Sequence, residues 1–259
     1  MRTQVGIIGA GPAGLMLAHL LRLQGIESIV IENRSRDYIE NRIRAGLIED
    51  WAANFLTEIG LGERMNRESM VHWGNYIGIN GELHHLDFKK LVGKRVTIYG
   101  QQEIVKDMVA RRLADGAPLL FEVDDVSVHD IDGKQPKIRF THDGKAQEID
   151  CDFIAGCDGF HGICRPNFPD GVLTAYDRDY PFGWLGILAD SPPPDHELIY
   201  SYTDRGFALY TMRSPTVSRL YLQCDHDEDI ANWPDARIWE ELHTRLGGEI
   251  GRASCRERV

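Results

Sequence analysis

The stretch Val5-Gly6-Ile7-Ile8-Gly9-Ala10-Gly11-Pro12-Ala13-Gly14-Leu15 decides the fold. Val5, Ile7 and Ile8 make an apolar run that reads as a buried parallel strand. A Gly-x-Gly-x-x-Gly turn follows at Gly9, Gly11 and Gly14, and the amphipathic run from Leu15 to Leu23 reads as a helix. Such a turn aims helix N-terminal N–H groups at a pyrophosphate. Gly9 permits the tight turn, Gly11 leaves room for phosphates near the backbone, and Gly14 lets helix and strand pack closely. A second strand, Ile29-Val30-Ile31, ends in Glu32, eighteen residues past Gly14. That is close to the roughly 20-residue spacing of an acid that holds a ribose hydroxyl. The plainer reading, a glycine-rich turn that binds nothing, has the strand, the helix and the acid against it.

The chain has 259 residues, enough for one large domain or two modest ones. With 42% hydrophobic and 27% charged residues it reads as a soluble globular protein. No apolar run reaches the roughly 18 residues of a membrane span, and the first strand starts too early to leave room for a signal peptide. The five cysteines, Cys151, Cys157, Cys164, Cys224 and Cys255, have no metal-type spacing. An odd, scattered set suits reduced thiols in a cytoplasm. The net charge of -11 argues against a nucleic-acid partner. It also means that an anionic ligand needs local arginines.

Arginines follow at once: Arg34 and Arg36, then Arg42-Ile43-Arg44 before a helical pattern from Leu47 to Ile59. Arg42 and Arg44 are placed to clamp phosphates; alone they would read as a solvated loop. Residues 70–99 alternate as strands with a hairpin signal at Asn80-Gly81, and a helix runs from about Gln101 to Leu113. A further strand (Leu119 to Val123) and a meander (Val126 to Ile131, Lys137 to Thr141, Glu148 to Ile154) follow, with Asp132-Gly133 and Asp143-Gly144 at turns. The buried strand Phe153-Ile154-Ala155-Gly156 leads into Cys157-Asp158-Gly159-Phe160-His161-Gly162-Ile163-Cys164-Arg165. This reads either as a second nucleotide-facing loop or as a plain turn with Asp158 as a local cap.

From Tyr180 the pattern is all β: Pro181 to Leu188, Glu197 to Tyr202, Gly206 to Met212 and Ser218 to Cys224. Period-two spacing puts Tyr200 with Tyr202, Thr211 with Arg213, and Arg219 with Tyr221 on common faces. A hydroxyl, a guanidinium and phenols on one face could hold a small aromatic carboxylate; a polar outer face is the bland alternative. Ala236 to Leu246 reads as a helix with Asp235 as its N-cap.

Taken together, Gly6 to Leu15, Arg42 to Gly46, Tyr99-Gly100-Gln101, Cys157 to Gly162, Tyr180-Pro181-Phe182-Gly183-Trp184-Leu185-Gly186 and His196-Glu197-Leu198-Ile199-Tyr200 resemble the class A flavoprotein monooxygenases. The resemblance runs from residue 1 to about 248 and is closest to the 4-hydroxybenzoate branch. It implies FAD, with NADPH or NADH as co-substrate, O2, and hydroxylation of 4-hydroxybenzoate to 3,4-dihydroxybenzoate through a flavin C4a-hydroperoxide. It implies an FAD site at Gly9, Gly11, Gly14, Glu32, Arg44, Gln101 and Asp158, and nicotinamide docking at Arg42, His161 and Arg165. It implies substrate contacts from Tyr200, Thr211, Arg213 and Tyr221, with threonine where the familiar form has serine. Tyr200 would stabilise the phenolate, His72 would end a proton relay, and Arg219 would tune the flavin. A homodimer is the expected assembly. The arginines at 34 and 36 lean towards a 2′-phosphate, leaving NADPH or NADH open.

The expected fold is α/β, a Rossmann-like FAD-binding domain with antiparallel insertions plus a β-sheet substrate domain. The expected bounds are 1–175, 176–228, a returning helical segment at 229–250, and a non-native tail at 251–259. The resemblance implies that a Gly-Asp flavin motif, a second relay tyrosine and a helical region are missing beyond that point. Two alternatives accompany the hydroxylase reading: a truncated fragment that binds nucleotide or aromatic acid without turnover, and a flavin hydroxylase for another phenolic acid.

Overall fold

A computed structural model describes residues 1–192, 195–247 and 255–258. It is α/β with several sheets and divides into two units. The first comprises Met1–Ala45, Leu56–Arg67 and Gly100–Ala175; the second comprises Gly46–Phe55, Glu68–Tyr99 and Tyr176 onward. Residues 1–175, read from sequence as one interrupted domain, are thus shared between the units. The reason is pairing: the hairpin strands Gly74–Ile79 and Glu82–Asp87 extend the sheet built by the later strands, through Leu198–Thr203.

In the first unit the parallel strands run in the order Phe153–Gly156, Val5–Ile8, Ser28–Ile31, Leu119–Leu120. Helix Pro12–Leu23 starts with proline at its first position, where the missing N–H costs nothing. An antiparallel meander, Asp124–His129, Lys137–His142 and Lys145–Asp150, lies in the same unit. The core joins both sheets through Ile8, Ile31, Ile138, Phe140 and Ile149. The run Glu148 to Ile154, expected as one strand, is two. Strand Lys145–Asp150 ends, and the N–H groups of Asp152 and Phe153 turn to the Gln4 carbonyl to start the parallel sheet.

The second unit holds a seven-stranded sheet in the order Cys255–Arg258, Gly183–Ala189, Val217–Cys224, Gly206–Ser214, Leu198–Thr203, Gly74–Ile79, Glu82–Asp87. A small sheet, Leu47–Glu49, Val96–Ile98, Met70–His72, accompanies it. Strand Cys255–Arg258 falls in the segment expected as a non-native tail; residues 251–254 and 259, and 248–250 before them, lie outside the described residues. Leu47 to Ile59 was expected as one helix, but Leu47–Glu49 is extended and pairs with Val96–Ile98; the helix is Asp50–Glu58. A short helix, Phe88–Val92, went unread. Asp87 caps it by accepting from the Lys90 N–H at 2.8 Å, and Gly93 ends it at φ 63°. The N-cap of helix Asp235–Leu246 is Pro234, not Asp235, which sits in the first turn.

That helix closes one face of the large sheet, packing Ile238, Leu242 and Leu246 against Ile187, Tyr210 and Leu222. Its buried charges are matched. Arg245 Nε donates to Glu241 at 2.9 Å, with both side chains under 10% exposed, and Arg245 Nη1 reaches the Gln223 carbonyl at 2.7 Å. Burial pushes the Glu241 carboxyl up, but hydrogen bonds from Arg205 and Arg245 outweigh it and leave its pKa lowered. Arg245→Ala leaves the buried Glu241 carboxylate with Arg205 as its remaining cation and also removes the bond to the Gln223 carbonyl, so urea unfolding at pH 7 should show a loss of about 1–3 kcal/mol. A depressed carboxylate stabilises above its unfolded pKa and loses that effect as pH falls through the folded one. The gap between the two proteins should therefore narrow in acid; an equal gap at pH 3 and 7 would contradict this account.

Candidate functional site

The first unit carries a cleft at the carboxyl ends of its parallel strands, the place where open α/β sheets bind ligands. Gly9 has φ 106°, and a Cβ there would overlap the Cys157 carbonyl. A Cβ on Gly14 would overlap the Gly9 carbonyl and lie 3.2 Å from Cys157 Cβ. Gly11, by contrast, faces open space within 4 Å. The N-cap of helix Pro12–Leu23 is Gly11 itself, without a side-chain cap, so the first-turn N–H groups stay available to a ligand.

The cleft is a cavity of about 680 Å³ whose walls include Gly9, Gly11, Glu32, Arg42, Arg44, Gln101, Asp158 and His161. Of the cofactor residues expected from sequence, Gly14 and Arg165 are not in its lining. Gly14 lies behind the turn, and Arg165 stacks over Phe160 at 4.5 Å. Glu32 ties two loops together: Oε2 accepts from the Ala10 N–H and Oε1 from the Arg34 N–H, each at 2.8 Å. Asp158 accepts from the Cys164 N–H at 2.9 Å, and its carboxylate fills the space a Gly162 side chain would take. It is therefore a local cap that also lines the cleft. Burial first, then Asp158, push the Cys164 thiol up to about 12, so it stays protonated.

Sequence reasoning passed over Tyr38. The guanidinium carbons of Arg34 and Arg42 each lie 5.3 Å from its ring centre, and Arg42 donates to its hydroxyl at 2.5 Å. Arg34, Tyr38 and Gln102 all line the cleft. The buried Oε1 of Gln102 has no hydrogen-bond partner among the described residues. A glycine-lined cradle beside bare N–H groups, with arginines on the rim, fits a dinucleotide pyrophosphate.

In the second unit the large sheet sets Tyr200 beside Leu209 and Leu209 beside Tyr221; Thr211 sits opposite Arg219. These residues share one half-buried face, while Tyr210, Leu220 and Leu222 fill the other. The Arg219 guanidinium stacks 4.8 Å from the Tyr221 ring centre. Arg213 falls at an irregularity between Met212 and Ser214, where a period of two no longer assigns its side; its Nε is buried. Burial pushes the Tyr200 phenol up, and also the Tyr221 phenol against the opposing charge of Arg219. Tyr202, expected alongside Tyr200, is 58% exposed.

A cavity of about 390 Å³ adjoins Tyr200, with Trp51, Asn75, Phe88 and Leu198 among its walls. Among the described residues, Thr211, Arg213 and Tyr221 are not part of its lining. Of the residues expected to contact substrate, Tyr200, Thr211 and Tyr221 thus share a sheet face rather than one enclosed cavity. His72 is 2% exposed in the small sheet. Burial lowers its pKa, with Glu197 and Asp195 pulling it up and His196 down.

Residues 2–259 match the family model described as the FAD binding domain. The chain belongs to that family. This FAD-binding chain is 44% identical over 260 residues to the p-hydroxybenzoate hydroxylase of Acinetobacter baylyi, covering 100% of this chain and 63% of that protein. It is 28% identical over 195 residues to a probable NADH-specific resorcinol 4-hydroxylase of Rhodococcus jostii, covering 66% of this chain and 33% of that protein. Among solved structures, p-nitrophenol 4-monooxygenase PnpA from Pseudomonas putida shares the fold with a TM-score of 0.81 at 17% identity, covering 100% of this chain and 67% of that one. The chain spans less than two thirds of both curated relatives. No helix among the described residues is long and apolar enough to cross a membrane.

The glycines separate two roles in this FAD-binding chain. Gly11→Ala should fold with an unchanged unfolding midpoint yet lose at least tenfold in FAD affinity, because its Cβ enters only the ligand's space. Gly14→Ala should be destabilised even without FAD, because its Cβ meets backbone. Flavin fluorescence quenching and thermal unfolding read both; equal behaviour of the two variants would contradict the assignment.

Proposed function

We propose that this chain is the FAD-binding and aromatic-binding part of a 4-hydroxybenzoate 3-monooxygenase, using NADPH or NADH and O2 to form 3,4-dihydroxybenzoate. The observation that carries the reading is the polar face on which Tyr200, Tyr221, Thr211 and Arg219 stand in cross-strand register, with Arg213 two residues beyond Thr211. The 44% identity to a protein named p-hydroxybenzoate hydroxylase supports it.

In this reading Gly9, Gly11, Glu32, Arg44, Gln101 and Asp158 hold FAD, with Gly14 behind the turn, and Arg42, His161 and Arg165 receive the nicotinamide cofactor. When bound, FAD supplies the redox and oxygen chemistry. The protein's own residues orient the ring and set its charge. Arg213 offers a planar fork to the carboxylate, with Thr211 and Tyr221 as hydroxyl partners. Tyr200 donates to the 4-oxygen, stabilises it as phenolate and so makes the ring electron-rich where oxygen is to be added. Its raised pKa suits this role, since the phenol keeps its own proton while sharing it. Arg219 adds positive charge to the face, and His72 takes the outer end of the proton path. The scattered thiols favour a cytoplasmic setting, and we read the working assembly as a homodimer with no nucleic-acid or membrane partner.

The test is purification of the 259-residue chain with FAD, followed by 4-hydroxybenzoate-stimulated oxidation of NADPH and NADH and chromatography of the product. The expected product is 3,4-dihydroxybenzoate. Turnover of a different phenolic acid alone would replace the substrate, and a colourless protein that binds neither ligand would overturn the reading. Tyr200→Phe should keep 4-hydroxybenzoate affinity within a few-fold while product formation falls about 10²–10³-fold. Arg213→Lys should weaken binding by roughly tenfold or more, because an ammonium cannot reproduce the fork. Unchanged affinity in Arg213→Lys would remove that arginine from the carboxylate.

A further inference from the structure

The parallel sheet of the first unit has a second hollow, at the end opposite the cleft that holds the glycine turn. A cavity of about 410 Å³ lies where the strands Val5–Ile8, Ser28–Ile31 and Leu119–Leu120 begin. Its lining includes Arg2, Thr3, Arg22, Glu27, Ser28 and Arg112. Helix Gln101–Ala114 delivers Arg112, which is 5% exposed. Its guanidinium meets only neutral oxygens. Nε and Nη2 donate to the Pro118 carbonyl at 3.1 and 2.8 Å, Nη2 also donates to the Ser28 carbonyl at 2.7 Å, and Nη1 donates to Ser28 Oγ at 3.3 Å. Asp115, the acid whose charge reaches Arg112, is itself engaged by Arg22 at 2.7 Å and Arg111 at 3.1 Å. A guanidinium carries five N–H donors, so one Nη1 hydrogen is left without an acceptor among the described residues. The Ser28 hydroxyl accepts from Arg112, and its own hydrogen likewise finds no acceptor there. Thr3 is 4% exposed, and its Oγ1 is buried with no hydrogen-bond partner among the described residues.

One wall thus collects donors that lack acceptors around a cation that lacks a bonded anion. Burying a charge is costly unless a partner answers it, and burial lowers the Arg112 pKa to about 10. An oxygen-rich anion answers the charge and the spare donors together. Arg22, 38% exposed, engages Asp115 through Nη2, and Arg2, 55% exposed, pairs with Asp152, so two more guanidiniums stand on the solvent side. Glu27 is the carboxylate in the lining; it is exposed, where solvent and salt screen it. No aromatic ring is part of the described lining, so the cavity offers nothing on which a base or a phenol could stack. We propose that this cavity binds a small non-aromatic oxyanion, a phosphate or an aliphatic carboxylate, through Arg112 and the hydroxyls of Thr3 and Ser28, with Arg22 on the solvent side. The site is independent of the function proposed above. It occupies the start of the strand Ser28–Ile31, whereas Glu32, just past the end of that strand, belongs to the other cleft.

Amide ¹H–¹⁵N NMR on the 259-residue chain in the presence of FAD tests this without turnover. Inorganic phosphate and malonate are titrated separately, each against chloride at equal ionic strength. The amides of Gly25, Ser28 and Ile29 report the proposed site, and those of Gly11 and Ala13 report the other cleft, so the two places are told apart whether or not FAD fills the latter. Saturable shifts at Gly25, Ser28 and Ile29 are expected, and the tighter of the two probes identifies the anion as phosphate or carboxylate. Thr3→Val keeps the shape of the side chain and removes the hydroxyl; it should weaken binding about fivefold or more. Arg22→Gln removes an outer cation and should weaken it about threefold. Both substitutions leave the four bonds of Arg112 in place, so loss of binding in either is not loss of the fold, and the unchanged remainder of the spectrum checks this. Shifts confined to Gly11 and Ala13, shifts that never saturate with either probe, or equal affinity in wild type and both variants would each overturn the proposal.

Discussion

The cleft of the first unit depends on one steric constraint, the approach of the Cys157 carbonyl to Gly9. Parallel pairing of Val5–Ile8 with Phe153–Gly156 brings the two strand ends side by side, with Ile8 opposite Gly156. The next residue on each strand then occupies the same volume unless one has no Cβ. Glycine at 9 resolves this, and the positive φ it adopts turns the chain sharply enough to begin the helix at Pro12. Gly14 repeats the solution one turn later against Gly9 itself. Once these contacts are made, Gly11 is left facing open space and Asp158 arrives on the same wall. The Gln101 N–H then bonds the Ala45 carbonyl at 2.9 Å, which brings the helix Gln101–Ala114 to the arginine segment and closes the rim.

The cleft was legible because its signals are local. Glycine spacing, the acid after the second strand and the loop after the buried strand each sit within a few residues of the group they position. Turns were legible for the same reason: Asn80-Gly81 and Asp143-Gly144 both take up the paired positive φ values of tight hairpins. What could not be read was pairing at long range. The strand Gly74–Ile79 alternates correctly, yet its parallel partner Leu198–Thr203 lies more than a hundred residues on, and no local pattern names it. Arg213 was assigned to a face by counting in twos, and an irregular register breaks the count where it matters. Nothing in the helical pattern of Asp235–Leu246 marks Glu241 and Arg245 as buried. They are buried because each satisfies the other, a relation that composition does not reveal.

Charge has to be solved locally in a chain of net charge -11. Arg34 and Arg42 would repel one another on the cleft rim, but the Tyr38 ring lies within reach of both cations and offers each a face of negative potential. The arrangement lets one aromatic ring serve both cations. An acid there would neutralise the rim and compete with an anionic ligand. Glu32, which also lines the cleft, accepts from two backbone N–H groups and so holds the loops together.

The large sheet makes the corresponding division across its thickness. Successive residues of strand Gly206–Ser214 alternate between a face sealed by the helix Asp235–Leu246 and a half-buried face. Tyr210 on the sealed side is fully buried, and its hydroxyl donates to the Asp195 carbonyl at 3.3 Å. Burial pushes that phenol up strongly, and its one polar atom is committed to structure. Tyr200, one strand over on the open side, has the same chemistry without that commitment, and a cavity beside it. Identical side chains are thus divided into a structural phenol and an available one by the two-residue period alone. The rigidity needed to hold the available one comes from the sealed face: a sheet fixed on one side by apolar packing and an internal ion pair can present polar groups on the other without collapsing around them.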